Sequence, residues 1–126
     1  MGVKKNSAVF AGKWKYAENY GYGKAEGEVV LKQEGNQVSG KIIFTDRTSD
    51  EEIAMIQEVL KGEVDGVKLH LNAVEFDIIH ADFKIDYMLD NWFGVLVDEN
   101  TIRGISMDEQ GVEGNFIFER MPQGEK

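Results

Sequence analysis

Apolar and polar residues alternate along most of the chain, which is the pattern of strands with one buried and one solvated face. The first run, residues 9–17, shows this clearly. Trp14 and Tyr16 share one side of an extended chain, while Lys13 and Lys15 share the other. The pattern therefore predicts a half-buried strand whose lysines keep the outer face soluble and discourage edge pairing.

Short turns separate the alternating runs. Glu34-Gly35-Asn36 and Asp65-Gly66 are typical of tight hairpins, and Asp90-Asn91 is predicted to be a turn, whereas residues 77–80 look irregular. Strands joined by short turns usually lie side by side in chain order. The pattern thus predicts an all-β, antiparallel fold of eight to ten strands, with runs at residues 9–17, 25–33, 37–46, 64–76, 82–89, 92–99, 99–108 and 111–120.

After the third strand, the spacing of the apolar residues changes from every second residue to every third or fourth. Ser49 is placed to cap a helix, and Glu52 three residues later completes a capping box. Ile53 and Ile56 follow at helical spacing. We therefore predict one short helix from about Asp50 to Gln57, with a short strand after it.

Composition narrows the function classes. The chain has 126 residues and no cysteine, so it has no disulfides, no thiolate metal ligands and no cysteine nucleophile. We predict one domain at residues 9–121, with tails at 1–8 and 122–126. The net charge of −9 argues against nucleic acid and anionic membranes as partners. No apolar run reaches the roughly 18 residues that a membrane span needs.

The N-terminal residues 1–10 have no apolar stretch long enough for a signal peptide, which predicts a cytoplasmic protein. A secreted or periplasmic protein whose leader had been removed would give the same pattern.

Gly12-x-Trp14 on the first strand, short up-and-down hairpins and Arg120 on the last strand resemble the lipocalin-like (calycin) superfamily. The resemblance implies an up-and-down β-barrel in which Trp14 packs at the closed end and Arg120 lies across it. A guanidinium over an indole gains roughly 0.5–2 kcal/mol of cation–π energy. Gly12, Trp14 and Arg120 are therefore expected to close the barrel.

Four further motifs are similar to small bacterial lipocalin-like domains, so that the resemblance covers about residues 9–121. They are "VSG" at 38–40, "VDG" at 64–66, "IRG" at 102–104 and "GNFIFER" at 114–120. The chain departs from the family in its predicted helix after the third strand and in lacking a helix after the last one.

The predicted inward face supplies the candidate ligand contacts. A barrel of about eight strands either fills with side chains or holds one small ligand. The resemblance favours non-catalytic binding of a small hydrophobic or amphipathic molecule. The predicted ligand-binding residues are Tyr16, Leu31, Ile42, Phe44, Leu69, Leu71, Phe116 and Phe118.

Two alternatives stay open from the residues alone. One is a protein-interaction module with a filled barrel, whose partner docks on the outer face through Ile43, Val74, Trp92 or Ile117. The other is a small barrel isomerase or cyclase, which rests on fold analogy alone.

Catalytic and metal motifs are weak. His80-x-Asp82, with Asp77 nearby, offers fewer ligands than the three or four of a zinc site. His70 lies between two inward leucines and is expected to be solvated. No serine has a nucleophile-elbow context, and "GYGKAEG" at 21–27 precedes a strand instead of a phosphate-binding helix. We therefore predict no enzyme, no metal and no cofactor.

Overall fold

The computed structural model describes residues 9–21, 23–49, 52–81 and 89–122. In this part of the chain eight strands form one closed antiparallel barrel, each pairing with its neighbours in sequence. The all-β up-and-down barrel is thus confirmed, at the lower end of the predicted strand count. The strands are β1 (Gly12–Asn19), β2 (Lys24–Glu34), β3 (Gln37–Arg47), β4 (Ile53–Asp65), β5 (Lys68–Ala81), β6 (Asp90–Asp98), β7 (Thr101–Asp108) and β8 (Glu113–Arg120).

The barrel closes because β1 pairs with both β2 and β8. We call the end where β1 begins and β8 ends the lower end, and the opposite end the upper end. Two tight turns at the lower end have glycines with positive φ, Gly35 at 63° and Gly66 at 62°, as their hairpin geometry requires. The hairpins predicted at these two places are present.

The predicted helix from Asp50 to Gln57 is wrong in the part that the structure describes. β4 begins at Ile53 and continues to Asp65, while positions 50 and 51 lie outside the described residues. The local helix signal is nevertheless present, because the Glu52 amide donates a 3.1 Å hydrogen bond to Ser49 Oγ. After Glu52 the chain extends into β4.

Spacing explains why the helix signal was ambiguous. Ile56 and Leu60 are four residues apart, which places them on one face of a helix and also on one face of a strand. Both are fully buried, and the burial of β4 alternates from Ala54 to Leu60. Closing the sheet between β3 and β5 buries this face, and that tertiary pairing outweighs the local capping preference.

Two boundaries around β5 and β6 also differ from the predictions. Residues 77–80, predicted to be irregular, belong to β5, whose pairing with β4 shifts register at Val74 and Ile79. Asp90 and Asn91, predicted to form a turn, begin β6. The strand predicted at 82–89 falls outside the described residues except for Leu89. No helix in the described ranges is long and apolar enough to cross a bilayer.

Strand glycines bring neighbouring backbones unusually close. A Cβ on Gly104 would lie 1.9 Å from the Phe93 carbonyl oxygen on β6, and one on Gly40 would lie 1.9 Å from the Val30 carbonyl oxygen on β2. Such approaches are typical of sharply coiled strands. The glycines inside the strands therefore allow the sheet to curve into a barrel.

Candidate binding site inside the barrel

All eight predicted ligand-binding residues face the interior and are at most 4% exposed. Several of them pack against one another around Tyr16. Its ring meets Phe44 edge-on with centroids 5.7 Å apart and meets Phe118 at 5.8 Å. Phe116 and Phe118 are 5.0 Å apart. The middle of the barrel is therefore an aromatic cluster.

Trp92 belongs to this cluster, and its predicted position on the outer face is wrong. The side chain is fully buried, and its ring lies 6.4 Å from that of Tyr16 in an edge-on contact. β6 has apolar residues on both faces, so alternation alone could not orient it. Pairing with Leu71 on β5 and Ser106 on β7 places Trp92 inside.

Gly12, Trp14 and Arg120, which were predicted to close the barrel, lie together at the lower end. Trp14 is fully buried and pairs with Arg120 across β1 and β8, and the guanidinium carbon lies 4.2 Å from the centroid of the Trp14 ring. Arg120 also donates hydrogen bonds to the carbonyl oxygens of Ala11 at 2.8 Å and Val9 at 2.6 Å. A Cβ on Gly12 would lie 3.0 Å from Arg120 Nη1, so glycine leaves room for the guanidinium.

The upper end is lined differently. One row of residues runs in register across the first five strands, and it contains two carboxyl groups and three alanines. Each member lies within one residue of the upper end of its strand. We call it the upper row, and it consists of Glu18, Ala25, Asp46, Ala54 and Ala81.

Glu18 gathers hydrogen bonds from three strands. The Tyr16 hydroxyl donates to Glu18 Oε1 at 2.5 Å, and the Trp92 indole N–H donates to the same oxygen at 3.3 Å. The hydroxyl of the buried Ser106 donates to Glu18 Oε2. This carboxyl group therefore connects the upper row to the aromatic cluster.

Burial is the largest influence on the pKa values of Glu18 and Tyr16. It raises the pKa of Glu18 above its ordinary value, although the hydrogen bonds from Ser106, Tyr16 and Trp92 act in the opposite direction. Burial, followed by the nearby Glu18 carboxyl, raises the pKa of Tyr16 well above 10. The tyrosine is thus a neutral donor at physiological pH.

Asp46 is the second inward carboxyl of the upper row. Burial raises its pKa, while the hydrogen bond that it accepts from the Tyr20 hydroxyl lowers it. Tyr20 belongs to the β1–β2 loop, so this bond connects that loop to β3.

Sequence reasoning missed the inward carboxyls. Glu18 continues the alternation of Trp14 and Tyr16, and Asp46 continues that of Ile42 and Phe44, so the parity signal was present. Alternation alone does not distinguish a buried from a solvated carboxyl at a strand end, where carboxyls are usually solvated. A third carboxyl, Glu58, is fully buried on β4, between Ile42 and Phe76 in register.

The remaining predicted surface residues lie outside the barrel. Ile43 and Val74 are about 40% exposed, and Ile117 is half-buried. His70 stacks on the exposed Phe93 ring at 4.4 Å on the outer face.

Only part of the weak zinc motif lies within the described residues. His80 and Asp77 are exposed on β5, and Asp82 lies outside the described residues. No group of three or more metal-ligating side chains occurs within the described ranges.

Two depressions lie away from the upper row. One, of about 690 Å³, is at the lower end beside Arg120, Glu99 and Pro122. The other, of about 350 Å³, lies beside the β4–β5 hairpin, where His70 and Phe93 form part of its wall. Both are shallow openings on the surface and neither contains the aromatic cluster.

Several solved structures with similar folds are designed β-barrels. A de novo designed fluorescence-activating β-barrel is 14% identical, with a TM-score of 0.58 over 94% of this chain and 100% of its own. A redesigned barrel, mFAP1, solved with DFHBI bound, is 12% identical, with a TM-score of 0.62 over 89% of this chain and 95% of its own. A third, mFAP0 bound to DFHBI, is 13% identical, with a TM-score of 0.60 over 89% of this chain and 99% of its own.

At these identities the likeness shows the fold alone. No known family profile matches the sequence, and no curated protein matches it. The β-barrel is established on this basis, whereas the lipocalin-like family and a bacterial source stay predictions.

Proposed function

We propose that this protein binds a small amphipathic molecule, without catalysis, inside the upper half of its barrel. The observation that carries the proposal is the change in the inward face along the barrel axis. Large apolar and aromatic side chains fill the lower and middle parts, whereas the upper row has only alanines and two carboxyls. Small side chains at one end of a closed barrel leave room that large side chains occupy elsewhere.

The lining suggests how such a ligand lies. An apolar body would rest on the aromatic cluster of Tyr16, Phe44 and Trp92, where edge contacts to rings are favourable. A polar end carrying hydrogen-bond donors would face Glu18 and Asp46, whose carboxyl oxygens have acceptor positions left beyond the bonds they already accept. The designed barrels mFAP0 and mFAP1, which were solved with DFHBI bound, support interior binding as a use of this fold.

The test is titration with Nile red, a neutral dye whose emission increases in apolar surroundings, on three proteins. Ala54→Leu adds a larger side chain to the upper row, and Ala17→Leu makes the same change on the outer face of β1. We expect one-to-one binding by the wild type and by Ala17→Leu, with at least tenfold weaker binding by Ala54→Leu. Equal binding by all three folded proteins would place the dye elsewhere and contradict the proposal.

An acid–base enzyme is the second candidate, because burial raises the pKa of Glu18, as is common for catalytic carboxyls. We rank it second because both Glu18 oxygens already accept hydrogen bonds from Tyr16, Trp92 and Ser106. A change in the bound ligand during incubation with wild type but not with Glu18→Gln, followed by mass spectrometry, would favour the enzyme.

A further inference from the structure

We propose that Tyr20 is a gate that controls access to the barrel interior and that it is held shut by its hydrogen bond to Asp46. The inference rests on the proposed function, since a gate matters only if a ligand passes it. It assigns to one loop residue the control of how fast ligands enter and leave.

Tyr20 lies at the upper end of the barrel, where β1 has just ended. It follows Asn19, the last residue of β1, and continues the inward parity of Trp14, Tyr16 and Glu18. Its hydroxyl donates to Asp46 on β3. The side chain therefore crosses the upper end of β2 above Ala25, which pairs with both Glu18 and Asp46.

The Tyr20 side chain lies in a seat formed by two glycines, Gly23 and Gly114. A Cβ on Gly23 would lie 2.5–2.7 Å from the hydroxyl and ring carbons of Tyr20, so the tyrosine ring lies directly against this glycine. A Cβ on Gly114 would lie 3.0 Å from Tyr20 Cβ. The backbone of Tyr20 is held as well, because its amide donates a 3.1 Å hydrogen bond to the Gly23 carbonyl oxygen. Two glycines on different elements thus accommodate one side chain.

Tyr20 also lies close to the Glu18 carboxyl group. The same Cβ on Gly114 would lie 2.6 Å from Glu18 Oε2, so Tyr20 and the Glu18 carboxyl adjoin the same glycine. With its ring against Gly23 and its hydroxyl on Asp46, Tyr20 spans the upper ends of β1, β2 and β3, and the proposed gate obstructs the path to Glu18 on this side. Breaking the Tyr20–Asp46 bond and rotating the Tyr20 side chain would remove this obstruction.

The experiment is stopped-flow mixing with Nile red, comparing wild type with Tyr20→Phe, which lacks the hydroxyl, and Gly23→Ala, which displaces the ring from its seat. Gln110→Ala is the matched control, because Gln110 is exposed in the β7–β8 turn at the same end. A hydrogen bond to a carboxyl of this kind corresponds to about a tenfold change in the open population. We therefore expect association and dissociation rates to rise together by about tenfold in both variants, with Kd changed less than threefold.

The outcomes separate the gate from the proposed function. Binding with rates within twofold of wild type in Tyr20→Phe and Gly23→Ala overturns the gate alone. A rise in dissociation rate without a rise in association rate also overturns it, because Tyr20 is then a ligand contact. Binding to Tyr20→Ala but not to wild type supports a gate that rarely opens. No binding to wild type and none to Tyr20→Ala overturns the proposed function and the gate together.

Discussion

Replacing Arg120 with methionine removes the closure of the barrel at its lower end while keeping an apolar stem of similar length. The change eliminates the cation–π contact with Trp14, worth about 1 kcal/mol, since the guanidinium lies 4.2 Å from the ring centroid. It also removes three hydrogen bonds to carbonyl oxygens, those of Val9, Ala11 and Glu99.

The magnitude follows from the exposure of those bonds. The bond to Ala11 is partly buried, so we assign it about 1.5 kcal/mol, whereas the two exposed bonds contribute about 0.5 kcal/mol each. The free energy of unfolding should therefore fall by about 3.5 kcal/mol, and the melting temperature by about 12 °C for a domain of this size. Arg120→Lys keeps the cation but not the planar fork, so we expect about half that loss.

The assay is urea unfolding followed by tryptophan fluorescence and far-ultraviolet circular dichroism. Arg103→Met is the matched control, because Arg103 is exposed on the outer face of β7. Its loss should stay within about 0.5 kcal/mol. If Arg120→Met were no less stable than Arg103→Met, the closure argument would be refuted.

Three further predictions concern the interior and the coil of the sheet. Because its folded pKa is raised, Glu18 contributes stability that is present below its unfolded pKa and is lost as pH rises through the folded pKa. The urea concentration at the unfolding midpoint should thus fall less between pH 4.5 and 8 in Glu18→Gln than in wild type. An equal fall in both proteins would contradict this. Gly104→Ala should cost about 3 kcal/mol in urea unfolding, because its Cβ would strike the Phe93 carbonyl, and a loss under 0.5 kcal/mol would contradict the close approach. Dodecylamine should displace Nile red at about tenfold lower concentration than dodecanoate, because Glu18 and Asp46 line the upper row, and the reverse order would refute this charge preference.

The lower half of the barrel was predictable because its residues follow one simple rule. Trp14, Leu31, Ile42 and Phe118 are large apolar residues on strands of clear alternation, and each faces the interior. Arg120 could be paired with Trp14 only through the family resemblance, since their sequence separation carries no local signal.

The upper half was less predictable because its lining breaks that rule. Glu18 and Asp46 have the right parity, but charged residues near strand ends are usually solvated, and only the position of neighbouring strands buries them. Alternation does not orient Trp92, because both faces of β6 are apolar, and only its pairing with Leu71 and Ser106 places it inside.

The sequence by itself determined the strand type, the chain-order topology and most of the inward apolar set, because side-chain alternation and turn chemistry are local properties. Only the tertiary structure decided that residues 53–57 extend into β4, that Trp92 lies inside, and that Glu18 and Asp46 share one row. The physical reason is that these three outcomes depend on register and burial across strands. Those quantities arise only when distant segments pair and the sheet closes on itself.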